Sequence, residues 1–202
     1  MGFLTGAASF MRFSVEGDLP ESFWDFVAEK VAAHSFQDID DTLDEYSIGW
    51  VSVVNMFDSD FAYGSYAAGD YVVLSMRIDE RKVSSSVLKK CVLKEEERVK
   101  LERQVPRLSK SVRMEIKERI RTELVRKSVP VPAVYDVCWN LADGTLLFFS
   151  TSKKAMVSLE ELFKETFGLS LMLQMPWITA GHVADQETRD RLDLLRPAVL
   201  VG

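Results

Sequence analysis

The residues best suited to chemistry lie in one stretch. Between Arg77 and Lys127 are 17 of the chain's 25 Lys and Arg, against nine Asp and Glu, a net charge of +8. The rest of the 202-residue chain has 8 basic and 22 acidic residues, or −14, giving −6 overall. Positive charge gathered on one surface attracts polyanions and exchanges their counterions. At 100° per residue, Lys110, Arg113, Lys117 and Arg121 fall within an arc of roughly 80° on one helix, so all four can meet one track of phosphates. Lys89 and Lys90 add charge to the helix before it. The competing reading is a pair of solvated helices, since exposed helices are often rich in Lys and Glu.

A second arrangement is Glu80-Arg81-Lys82, which has the E-x-K spacing of many metal-dependent nucleases. There, carboxylates hold Mg²⁺ and the lysine steadies the attacking water. Asp70 is ten residues from Glu80, about 33 Å along a continuous strand, and cannot share its metal. Asp58, Asp60 or Asp136 would have to supply the partner. The acidic run 35–45 (SFQDIDDTLDE) lacks the central glycine and the closing bidentate glutamate of a calcium loop, and reads as solvated. His34 ends an apolar helix, and His182 has no Cys or His at metal-ligand spacing. Cys91 and Cys138 read as small core residues in a reducing compartment. No G-x-S-x-G, phosphate-binding loop or dinucleotide fingerprint is present. The sequence therefore assigns no catalytic residue, no metal ligand and no cofactor.

These groups must be positioned by an α+β chain. Residues 8–15 alternate as a strand. Asp18-Leu19-Pro20-Glu21 reads as a capping box opening a helix to about Ala33, with Phe23, Phe26, Val27 and Val31 on its apolar face and Trp24 joining the core. Strands are expected at 48–53 and 71–78. Ser84-Ser85-Ser86 caps a helix to about Arg103, Pro106 interrupts, and Ser109 caps a second helix to about Lys127. On that helix Val112, Ile116, Ile120 and Leu124 repeat every four residues, beside the basic arc. Pro130 and Pro132 end it. Strands 134–141 and 145–150 follow, joined by a turn at Ala142-Asp143-Gly144. Then come a helix capped by Thr151 or Ser152, running to about Phe167 and stopped by Gly168, a strand at 169–174 and a short polar helix within 179–195. Hairpins with helices indicate small antiparallel or mixed sheets covered by helices, with an exposed basic helical pair mid-chain. The chain forms one unit, or two sub-domains of about 1–80 and 130–202 joined by 84–127.

Apolar residues at 47% and charged residues at 28% are globular proportions. The start has no basic segment before its apolar residues, and Gly6 stands where a myristoylation motif needs Ser or Thr. No apolar run reaches the length of a membrane span. A cytoplasmic protein without a membrane partner is expected.

Several short runs, in order, resemble the recombination-associated RdgC family. They are Gly49-Trp50-Val51-Ser52, Val72-Val73-Leu74-Ser75-Met76-Arg77, Glu115-Ile116-Lys117, the hairpin turn at Asp143-Gly144, and Ser152-Lys153-Lys154-Ala155. The resemblance covers roughly residues 8 to 176. It implies a nucleoid-associated protein that binds double-stranded DNA with little sequence preference, forms a ring-shaped dimer with a basic hole, and opposes recombinase filaments. Some members are labelled exonucleases without clear catalytic residues. Family members are about half as long again, and their C-terminal region helps to close the ring. Their aromatic finger follows the basic helices, where this chain has Ser128-Val129-Pro130-Val131-Pro132. The resemblance thus carries over the basic helical surface and not the finger.

Overall fold

A computed structural model of the chain describes residues 2, 4, 9–176, 180 and 183–194. Seven strands among these are β1 (Met11–Glu16), β2 (Tyr46–Val51), β3 (Ala67–Ala68), β4 (Tyr71–Arg81), β5 (Pro130–Asn140), β6 (Thr145–Phe148) and β7 (Ser170–Leu173). The helices are α1 (Phe23–Ala33), α2 (Ser85–Arg103), α3 (Lys110–Lys127), α4 (Lys153–Phe167) and α5 (Gln186–Asp193). His182 and the apolar tail 199–201 lie outside the described residues.

The expected α+β class holds, but the strands form one sheet instead of several small or mixed ones. Its order is β2-β4-β5-β6-β1-β7, with β3 on β4, and every strand pairing is antiparallel. β4 and β5 pair from Tyr71↔Asn140 to Arg81↔Pro130. Strands from both sides of the helical segment 84–127 thus share one ladder, and the two basic helices are an insertion between its longest partners.

Alternation along the strands separates two faces. Val72, Leu74 and Met76 of β4 meet Val137 and Trp139 of β5, Leu146 and Phe148 of β6 and Phe13 of β1. α1 and α4 cover this face with Val27, Val31, Leu159, Leu162, Phe163 and Phe167. Trp139 lies at the centre, its ring 5.3 Å from Phe163 and 5.6 Å from Phe167. Trp50 donates Nε1–H to Thr166 Oγ1 at 2.9 Å, tying β2 to α4. Gly49 permits the neighbouring approach: a Cβ there would lie 2.5 Å from the Phe36 backbone. Residues 34–36 can therefore run alongside β2, with Phe36 N–H donating to Trp50 O at 2.9 Å.

Local signals are realised unevenly. Ser109 and Ser152 cap α3 and α4, each accepting from a backbone N–H at 3.4 Å. Gly168 ends α4 at φ 70°, where a side chain would be strained. The capping box at Asp18–Glu21 does not form. α1 starts after Ser22, which has no side-chain cap, and Asp18 and Glu21 stay exposed. Trp24 is 40% exposed and stacks edge-on against Phe23 at the rim, so it does not join the core. Ser84 precedes α2, but its hydroxyl pairs with Ser86 and caps nothing.

Pro130 and Pro132 do not keep the chain out of the sheet, since β5 begins at Pro130. Asp136 accepts from Phe149 N–H, so its peptide groups face β6. By alternation, positions 130 and 132 face that same side, but β6 reaches only as far as Val137. The missing N–H groups thus fall where no described strand pairs with β5, so proline costs no described ladder bond.

Candidate nucleic-acid interface

α2 and α3 pack antiparallel and form a hairpin that packs on no other element to a comparable extent. Few apolar residues close its seam: Val99 and Ile116 are buried, while Val92, Val112, Ile120 and Leu124 are half-buried. Glu96 is also buried, at 7% exposure. A seam this thin leaves most of both helices to solvent and charge.

The two flanks of the seam differ in charge. On one, Lys110, Arg113 and Lys117 of α3 line a groove with Val92, Glu96 and Met114, about 250 Å³ in volume. It continues toward the turn past Lys100, Arg107 and Leu108. Five cations thus share this flank with one lining carboxylate, Glu96, although Lys100 also pairs with Glu97 at 2.8 Å. Helical geometry extends the row to Arg121, one turn beyond Lys117, and to Lys89, two turns before Glu96. Lys90 is rotated outward by about 100° from Lys89.

On the other flank, Arg98, Arg103 and Arg119 alternate with Glu102 and Glu115. Here Arg98 and Arg119 are compensated, while Arg103 makes no ion pair with the described residues. Arg98 donates to both Glu95 oxygens at 2.8 and 2.7 Å and also pairs with Glu102. Arg119 crosses the seam to Glu95 and lies 3.9 Å from Glu123. The Arg98 and Arg119 hydrogen bonds bring the Glu95 carboxyl down to about 2.

All six sequence-derived candidates are exposed and stand on this hairpin. Lys89, Lys90, Lys110, Lys117 and Arg121 make no ion pair with the described residues, and remain available to an external anion. Arg113 differs, because its Nε–H donates to Glu96 Oε1 at 3.0 Å. Position on the helix gave no sign of this cross-seam pair. Lys100 and Arg107, at the same flank's outer end, were also missed. They lie outside the arc of the second helix and join it only when the hairpin closes.

The E-x-K spacing does not gather carboxylates. Glu80 Oε2 lies between Lys82 Nζ at 3.0 Å and Lys154 Nζ at 3.2 Å, and its pKa is held below the ordinary value, chiefly by Lys82. Asp136 is on the opposite face, accepting from Ser75 Oγ at 2.6 Å. Asp58 accepts from the Asp60 and Phe61 N–H groups in a loop, and Asp60 lines a groove with Arg77, also on that face. None joins Glu80, and no group of three His, Cys, Asp or Glu side chains among the described residues could hold a metal. Cys138 is buried, which raises its pKa, and Cys91 is half-buried. His34 caps α1, its Nδ1–H donating to Lys30 O at 3.0 Å. No helix among the described residues is long and apolar enough to cross a membrane.

A family model described as "Putative exonuclease, RdgC" matches residues 11–181. No curated protein matches the chain.

Proposed function

The chain belongs to the RdgC family, and from that premise we propose that it binds double-stranded DNA through the phosphate backbone on the cationic flank of the α2–α3 hairpin. Membership supports a recombination-related role; DNA as the ligand, nucleoid association and assembly as a dimer are our reading. The observation that carries it is the division of charge between the flanks. If the lysines and arginines served only to solvate two helices, acids would be interleaved on both sides. On the cationic flank acids take only Arg113 (Glu96) and Lys100 (Glu97), leaving Lys110 and Lys117 without an ion pair among the described residues, whereas on the other flank Glu95 binds both Arg98 and Arg119 and Glu102 adds a further pair to Arg98. The open flank offers fixed cations and no element shaped to read base edges, so binding is indifferent to sequence. The acidic remainder of the chain repels DNA and orients the approach.

A gel-shift salt series with duplexes of unrelated sequence tests this. Affinity should fall steeply with salt and be equal among sequences. Flat salt dependence, or no shift at low salt, would overturn it. A protein-interaction module that uses no nucleic acid is the second reading, favoured by Leu101 at 78% and Met114 at 50% exposure on the hairpin. That reading requires no duplex binding at any salt.

We further propose that the chain does not hydrolyse DNA. Two lysines occupy the Glu80 carboxylate, and the candidate partner carboxylates face away from it. Incubation of labelled duplex with Mg²⁺ or Mn²⁺ should leave it intact. Degradation that disappears in both Glu80→Ala and Lys82→Ala would reverse this assignment.

A further inference from the structure

Arg81 is the last residue of β4 and is 8% exposed. No carboxylate pairs with its guanidinium among the described residues. Five backbone carbonyls surround it instead. Nη2 donates to Ile39 O at 2.7 Å and to Asp40 O and Thr42 O, each at 3.1 Å. Nε donates to Asp44 O at 3.0 Å, and Nη1 donates to Ser128 O. The Arg81 N–H also donates to Glu45 O at 2.9 Å. The acidic run therefore does wrap a cation, through main-chain carbonyls, and that cation belongs to the protein. A buried guanidinium needs several acceptors, and a buried carbonyl needs a donor, so each satisfies the other.

Ser128 is the residue that caps α3. Arg81 pairs with Pro130, so both roots of the hairpin stand side by side. Between sheet and hairpin there are only residues 82–84 on one side and 128–129 on the other. Among the described residues no body element makes more than slight contact with α2 or α3, so their direction depends largely on these roots. One guanidinium joins the root of α3, the end of β4 and the loop 39–44.

We propose that Arg81 is a positioning residue that fixes the direction in which the basic hairpin leaves the sheet, by binding the 39–44 loop and the α3 cap to one charge. Its consequence for DNA rests on the binding reading above, but its geometric content does not. A rigid hairpin presents its cations already aligned. A loose one must be ordered on binding, at a cost in affinity.

The test uses the full chain with spin labels at Leu101→Cys on the hairpin and Val157→Cys on α4, and with Cys91 and Cys138 replaced by Ala. Pulsed EPR should give one narrow distance distribution. Arg81→Ala should broaden it, and added ethylguanidinium should narrow it again where ethylammonium does not. Arg81→Lys should also broaden it, because an ammonium lacks the planar fork. If Arg81→Ala does not fold, Arg81→Lys carries the test. In the same variants duplex affinity should drop roughly three- to tenfold, as expected for ordering one mobile unit on binding, with an unchanged salt slope. Distances unchanged in a folded Arg81 variant, or broadening that ethylguanidinium fails to reverse, overturn the proposal. If the parent chain binds no duplex, the DNA reading fails while the distances still decide the role of Arg81.

Discussion

α4 and α3 have similar lengths, 15 and 18 residues, and use them in opposite ways. α4 buries Ala155, Leu159, Leu162, Phe163, Thr166 and Phe167 against the sheet, whereas α3 buries Ile116 and Val125. The first helix is held by apolar area, the second by a thin seam, a charge network and its root. A helix committed to a core has one free face. A helix held at its end can display charge around most of its circumference. The molecule thus separates stability from binding surface, and that separation can be broken from either side.

The largest effect should come from the core side. Phe163 is 1% exposed and its ring centroid is 4.8 Å from that of Phe167. Phe163→Ala should cost about 3–5 kcal/mol of global stability, read as a lowered denaturant midpoint. Ile116→Ala, by contrast, should speed amide exchange within 85–127 and leave the near-UV signal of Trp50 and Trp139 unchanged. If Ile116→Ala shifts the global midpoint as far as Phe163→Ala does, hairpin and body form one cooperative unit and the comparison fails.

Next come the flanks. Lys110, Lys117 and Arg121 have no ion-pair partner among the described residues, so replacing all three by Ala should flatten the slope of log K against log salt by about 2.7 units. Replacing Arg98, Arg103 and Arg119 removes the same charge from the other flank and should flatten that slope by at most about 0.9 units, since of the three only Arg103 lacks an ion pair among the described residues. Equal losses from the two triples would mean that net charge alone sets affinity.

Legibility in the sequence follows the same division. The core was readable because residues 71–78 are a β-branched, apolar run, and because Thr151 or Ser152 and Gly168 mark the two ends of α4. Each signal lies within a few residues. The α3 arc was readable for the same reason. What escaped depends on contacts distant in sequence. Pro130 and Pro132 look like breakers until the reach of β6 is known. Trp24 looks apolar enough for the core until the core is filled by Trp139 and Phe163. Glu80-Arg81-Lys82 suggests a metal site until Glu80 meets Lys154 and Arg81 turns to the other face. The pairing of Arg113 with Glu96, 17 residues apart, needs the hairpin closed.

That pair allows a finer test. Glu96 is the lining carboxylate of the cationic flank and accepts the Arg113 Nε–H, offsetting that charge beside an external phosphate. Glu96→Gln removes the charge at nearly constant volume. Freed, Arg113 should add one phosphate contact and steepen the salt slope by about 0.9 units. Arg113→Ala in the Glu96→Gln background should reverse that gain. A slope unchanged by Glu96→Gln would mean that Arg113 already reaches phosphate while paired.

The smallest effect concerns the compensated flank, whose interactions are exposed and screened by water. Arg98 and Arg119 bring the Glu95 carboxyl from 4.5 to about 2. A folded-state pKa below the unfolded value contributes stability that is fully present above the unfolded pKa and is lost as pH falls through the folded one. The Glu95 contribution should therefore be intact at pH 6, decline from about 4.5 and vanish near pH 2. Carboxyl-carbon NMR of Glu95 should show its midpoint well below that of an unpaired glutamate. Glu95→Gln should remove this share of the acid-induced loss of hairpin order, seen in amide exchange of 85–127. It should leave duplex affinity near neutral pH almost unchanged, because Glu95 lies across the seam from Lys110 and Lys117. A Glu95 midpoint near 4.5 would show that Arg98 and Arg119 are not held on it in solution. Both would then be available to phosphate, and the contrast between the flanks would disappear.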